Sequence, residues 1–163
     1  MFEPETLTLA QSVLKACRAR NWRLATAESC TGGLVAGALT AIAGSSDVVE
    51  RGFVTYSNEA KSELLGVPPE IIAAHGAVSA ETAAAMARGA VARAPVDLAI
   101  SVTGIAGPGG ATETKPVGLV LFGLARRDGA CRMEHRVFDG DRTAVRQAAL
   151  REALHLLEAE ARS

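Results

Sequence analysis

Residues 23–42 read RLATAESCTGGLVAGALTAI, and this stretch decides the fold. Arg23 to Ala27 has the composition of a strand, Thr31-Gly32-Gly33 breaks it with the residues of a tight turn, and Leu34 to Ile42 resumes as a helix. Gly37 and Ala38 let that helix pack closely. Strand, tight turn and helix in this order form the repeating unit of α/β domains.

Outward from this unit, the same pattern continues in both directions. Upstream, Leu7, Ala10, Val13, Leu14 and Cys17 recur at helical spacing and predict an amphipathic helix ending near Arg20-Asn21. Downstream, Phe53 to Tyr56 reads as a strand, and Ser57 or Asn58 caps a short helix through Leu65 that Gly66 ends. Pro68 and Pro69 start another short helix to about Ala74, and Ser79 caps an alanine-rich helix to about Ala94. Leu98 to Val102 and Val117 to Ala125 are unbroken apolar runs, the pattern of strands covered on both faces. After the turn Arg127-Asp128-Gly129, the residues Cys131, Met133, His135 and Val137 alternate with Arg132, Glu134 and Arg136, which marks a half-exposed antiparallel strand. Asp141 then opens a terminal helix with Val145, Ala149, Ala153 and Leu156 on one face. The predicted fold is α/β: a three-layer α/β/α sandwich around a mixed, mostly parallel sheet of about five strands, in one domain spanning 1–163.

Composition narrows the function classes. The chain of 163 residues is 48% hydrophobic and 21% charged, with formal net charge −1, so it carries no field to gather a polyanion, and a nucleic-acid partner is not expected. Cys17, Cys30 and Cys131 are odd in number and widely spaced, which fits neither a disulfide framework nor a zinc site; a reducing cytoplasm and no metal are expected. No apolar run approaches the roughly 20 residues needed to cross a bilayer, so no membrane partner is expected either. The small-residue faces of the helix from Ser79 and of the terminal helix predict a homo-oligomer.

Open α/β sheets bind ligands beyond the carboxyl ends of their strands. Two loops fit that place. Glu28-Ser29-Cys30-Thr31-Gly32-Gly33 sets a hydroxyl at a strand end among small residues, where Ser29 can be a nucleophile or simply a helix N-cap. Cys30 is the rival nucleophile, but no histidine pairs with it. Thr103-Gly104-Ile105-Ala106-Gly107-Pro108-Gly109-Gly110 is a glycine-rich turn suited to a phosphate or a carbonyl oxygen, without the spacing of a nucleoside-triphosphate or dinucleotide loop. A serine attacking an amide needs a base. His75, His135 and His155 fall in unsuitable segments, and lysine occurs only at 15, 61 and 115. Lys61 lies one turn into the helix that follows Tyr56, and burial against Tyr56 and the sheet edge would lower its pKa toward neutrality. The oxyanion would be held by backbone N–H groups near Cys30 to Gly32 at the positive end of the next helix. Tyr56 is either a core aromatic or a proton relay, Glu28 either orients the loop or is solvated, and Lys115 and Arg142 either contact phosphate or lie on the surface.

Four motifs occur in order: Ala27-Glu28-Ser29-Cys30-Thr31-Gly32-Gly33, Tyr56-Ser57-Asn58 with Lys61, Thr103 to Gly110, and Lys115-Pro116-Val117-Gly118. With them the chain resembles, over nearly its whole length, the C-terminal domain of the CinA family. The resemblance implies an anticodon-binding-domain-like α/β/α fold without a cofactor. It also implies hydrolysis of the carboxamide of nicotinamide mononucleotide to nicotinate mononucleotide and ammonia, in pyridine nucleotide recycling. It places the family's serine on Ser29 and its lysine on Lys61. With Tyr56, these are the expected catalytic residues, and the expected substrate contacts are Glu28, Cys30, Thr31, Gly32 and Gly33, then Thr103, Gly104, Gly107, Gly109 and Gly110, then Lys115 and Arg142. Many relatives carry an additional N-terminal domain, so a stand-alone amidase form is expected here. The alternative is a non-catalytic nucleotide-binding or regulatory module in which the glycine loops hold phosphate.

Overall fold

The computed structural model describes residues 1–163. Helix α1 (Pro4–Ala19) leads into β1 (Leu24–Glu28) and α2 (Leu34–Thr40); a short 3-10 turn then precedes β2 (Val49–Val54). Three helices follow, α3 (Asn58–Leu65), α4 (Pro69–His75) and α5 (Ala80–Arg93). The chain ends with β3 (Leu98–Gly104), β4 (Leu119–Arg126), β5 (Cys131–Val137) and α6 (Arg142–Arg162). The caps are those the sequence names: Ser57, Ser79 and Asp141 each accept a backbone N–H three residues on, from Ala60, Thr82 and Ala144.

The sheet order is β2-β1-β3-β4-β5, with β1 parallel to both neighbours and β4 antiparallel to β3 and β5. Four strands therefore share one direction. The chain leaves β1 for β2 on one side and returns to β3 on the other, so the carboxyl ends of β1 and β3 lie next to each other at a topological switch point.

Two strands differ in extent from the sequence reading. β2 spans Val49–Val54 rather than Phe53–Tyr56. Its pairing with β1 ends at Glu28↔Val54, with one further bond from Thr55 N–H to Glu28 O, so the β-prone Tyr56 has no strand to pair with. β4 starts at Leu119, two residues later than expected, because Gly118 sits in the left-handed region at φ 92 and turns the chain into the strand.

The two faces of the sheet carry different residues. Leu24, Leu98, Ile100, Val102, Phe122 and Leu124 face α1, α2 and α6 in the larger core. Ala25, Ala27 and Ala99 face α5 in the smaller one, and Ser101 and Gly123 extend this small-residue surface. That is why α5 lies so close. Ser101 Oγ donates to Ala83 O at 2.6 Å, and a Cβ on Gly123 would stand 2.5 Å from the same carbonyl. Alanines of both α5 and α6 are buried within the chain, Ala83, Ala87 and Ala90 of α5 beneath the small-residue face and Ala149 and Ala153 of α6 in the larger core. No helix is long and apolar enough to cross a membrane.

Candidate active site

Ser29 follows the last residue of β1, and its N–H donates to Val102 O of β3 at 2.8 Å, which ties the residue to the switch point. The turn closes through Gly32 N–H to Ser29 O at 3.0 Å, and Gly32 and Gly33 take φ 60 and 99, a region that favours glycine. Helix α2 begins there with Gly33 as its N-cap, a residue with no side chain to satisfy the free N–H groups. Glu28 does so from upstream. Its fully buried carboxylate accepts Gly33 N–H (3.0 Å), Val35 N–H (3.1 Å) and Ala36 N–H (2.9 Å). Glu28 is therefore a capping residue, and its carboxylate occupies the positive end of α2. The N–H groups that remain without a protein acceptor in this turn are those of Cys30 and Thr31.

Lys61 enters from α3. Its Nζ lies 3.1 Å from Ser29 Oγ and donates to Thr55 O at 2.9 Å, with Ser57 O and Tyr56 O at 3.4 and 3.5 Å. The residue is 1% exposed, and burial lowers its pKa from the ordinary lysine value, with the nearby Cys30 and Glu59 opposing the shift. Tyr56 does not supply that burial: it is 61% exposed, gives Lys61 only its carbonyl, and its hydroxyl accepts from Arg142 Nη2 at 2.9 Å. Burial pushes the Cys30 thiol up to about 11, so it stays protonated near neutral pH and is a poor nucleophile.

Ser29, Lys61 and Cys30 line a cleft of about 200 Å³. Tyr56, Thr103, Gly104 and Arg142 complete its predicted lining; Asn58 and Ala106, which stand in the quoted motifs without an assigned role, join it, as do Ala77 and Val78. Of the other expected contacts, Gly107 holds Arg142 Nη1 through its carbonyl at 2.9 Å, and Gly109 and Gly110 lie outside the cleft wall. Thr31, Gly32 and Gly33 shape the turn without lining the cleft. Lys115 is elsewhere: its Nζ donates to His75 O at 2.6 Å, at the carboxyl end of α4. A neighbouring cleft of about 330 Å³ shares Ala106 and Arg142 and reaches the start of α6.

Arg146 was not legible in the sequence. It stands one turn after Arg142 on α6 and donates to Cys30 O (3.0 Å) and Thr31 O (3.2 Å), pinning the Cys30–Thr31 and Thr31–Gly32 peptide planes. The spacing of Arg142 and Arg146, four residues apart at a helix start, is the signal that places both on one face. No group of three His, Cys, Asp or Glu side chains converges anywhere in the fold.

A family model described as the CinA C-terminal domain matches residues 6–161. The chain is 50% identical over 157 residues to the nicotinamide-nucleotide amidohydrolase PncC of Escherichia coli strain K12, covering 96% of this chain and 95% of that protein. It is 58% identical over 135 residues, 83% of its length, to a CinA-like protein of Geobacter sp. strain M21. Of such longer curated relatives it spans about a third, 32% and 36% in two cases. Among solved structures, the competence/damage inducible protein CihA of Agrobacterium tumefaciens is similar with TM-score 0.94 and 48% identity, covering 98% of this chain and 97% of that one.

Proposed function

The chain belongs to the CinA C-terminal domain family, and from that membership we propose that it is an amidohydrolase that converts the carboxamide of nicotinamide mononucleotide to the carboxylate and ammonia, with Ser29 as nucleophile and Lys61 as base. Its 50% identity to an enzyme named for that activity supports the substrate class. The observation that carries the mechanism is the approach of Lys61 Nζ to Ser29 Oγ, 3.1 Å apart in a cleft at the switch point of the sheet.

A neutral Lys61 amine has two N–H groups and one lone pair. With the N–H groups turned to Thr55 O and the carbonyls of the next turn, the lone pair is left for the Ser29 hydroxyl. Lys61 takes that proton as Oγ bonds to the amide carbon. The resulting ammonium delivers it to the amide nitrogen as the C–N bond breaks, releasing ammonia. Water then attacks the Ser29 ester, passing a proton through Lys61 back to Oγ, and the carboxylate leaves. The oxyanion is met by the Cys30 and Thr31 N–H groups, whose peptide planes Arg146 and the Ser29–Gly32 bond hold. A cleft of about 200 Å³ suits the amide-bearing ring. The ribosyl phosphate extends past Arg142 into the adjoining cleft. This reaction belongs to pyridine nucleotide recycling.

Ser29→Ala removes the hydroxyl at a position whose backbone is already held, so the fold should persist while ammonia release falls to background. An ammonia assay beside a thermal melt checks both. Undiminished turnover in that variant rejects Ser29 as nucleophile, and nucleotide binding by a wild-type chain that releases no ammonia points instead to a binding module.

A further inference from the structure

The cleft must do more than supply a nucleophile and a base, because a primary amide presents two N–H groups that need acceptors. Most of the polar side chains in its wall are already engaged. Ser29 Oγ faces Lys61, Thr103 Oγ1 donates to Ala77 O at 2.8 Å, and Arg142 bridges Tyr56 Oη and Gly107 O. Among the lining side chains that bear nitrogen or oxygen, Asn58 alone makes no hydrogen bond to protein. It is the first residue of α3, three positions before Lys61, and both residues line the same cleft, Lys61 at its buried end and Asn58 at its exposed rim. The carbonyls of Thr55, Tyr56 and Ser57 are directed at Lys61 Nζ, which leaves Asn58 Oδ1 as a side-chain acceptor without a protein partner in the same wall as Lys61.

We infer that Asn58 is the specificity-determining residue for the carboxamide: its Oδ1 accepts one N–H of the substrate amide and holds the nitrogen toward Lys61. The inference rests on the amidohydrolase reading above. A carboxylate has no N–H to offer, so Asn58 favours the uncleaved substrate over its product.

Calorimetry in a Ser29→Ala background reads this directly, with nicotinamide mononucleotide and nicotinate mononucleotide as the two probes. Asn58→Leu is similar in size and lacks both polar atoms, and because residue 58 is exposed at a helix start the fold tolerates it, as a melt verifies. The expected result is amide binding weakened about tenfold, the worth of one neutral hydrogen bond, with carboxylate binding within about twofold of the parent. Asn58→Asp keeps an acceptor oxygen and repels an anion, so it should retain the amide and lose the carboxylate. Equal weakening of both probes by Asn58→Leu, or no change in either, overturns the role of Asn58. Failure of the parent Ser29→Ala chain to bind the amide overturns the amidohydrolase reading itself, and the inference with it.

Discussion

Lys61 is the residue on which the chemistry turns, and its burial makes a prediction about pH. Burial lowers its pKa, so the neutral amine is populated at a lower pH than the roughly 10.4 of a free lysine. The rate should rise with pH as that amine deprotonates, with a midpoint below the ordinary lysine range, as a kcat/KM profile will read. Lys61→Ala should lower kcat by about 10²–10⁴-fold, the usual worth of a positioned base, with KM little changed; a pure rise in KM would make Lys61 a binding residue. Glu28 yields a second prediction. Glu28→Gln substitutes an amide donor for one of two oxygens that together accept three N–H groups, leaving a buried donor facing donors. The expected cost is about 2 kcal/mol, seen as a lower Tm, together with slower turnover because Ser29 follows it directly. Proximity to Ser29 marks Glu28 in the sequence, but its role as a cap for a helix five residues on depends on the turn between them.

At the scale of elements, α3 has to be held where Lys61 meets Ser29, and α5 does the holding. A Cβ on Gly89 of α5 would lie 2.0 Å from the carbonyl oxygen of Leu65, the last residue of α3. Gly89→Ala should therefore push α3 outward, lowering stability by about 1–3 kcal/mol, as overpacking does, and reducing ammonia release in parallel. A melt and an activity assay on the same preparation test the coupling; lost stability with full activity would show that α3 moves without displacing Lys61. The elements themselves were largely legible, because caps at Ser57, Ser79 and Asp141 and the apolar runs of β3 and β4 are local signals. β2 was the least legible. As an edge strand it needs no apolar run, and Val49 to Gly52 reads as polar chain until β1 is beside it.

For the whole molecule, the buried Lys61 links stability to pH. Its folded pKa is lower than its unfolded one, so between the two values the unfolded chain binds the extra proton and stability rises with pH. Below the folded value the cost of burying the ammonium is fully present. Denaturation midpoints measured from neutral to alkaline pH should carry this rising contribution, and Lys61→Met should remove it; an unchanged slope in that variant would assign it to other groups. The sequence by itself determined the α/β class, the order of elements and the two loops that carry Ser29 and Thr103, since hydrophobic period, caps and turn residues act over a few positions. Only the tertiary structure decided which groups meet. Pairing β1 with β3 brings those loops together, α5 sets the depth of Lys61, and α6 delivers Arg142 to Tyr56, 86 positions away, and Arg146 to Cys30, 116 positions away. A contact across such a separation depends on strand order and packing distance, which no local pattern of residues encodes.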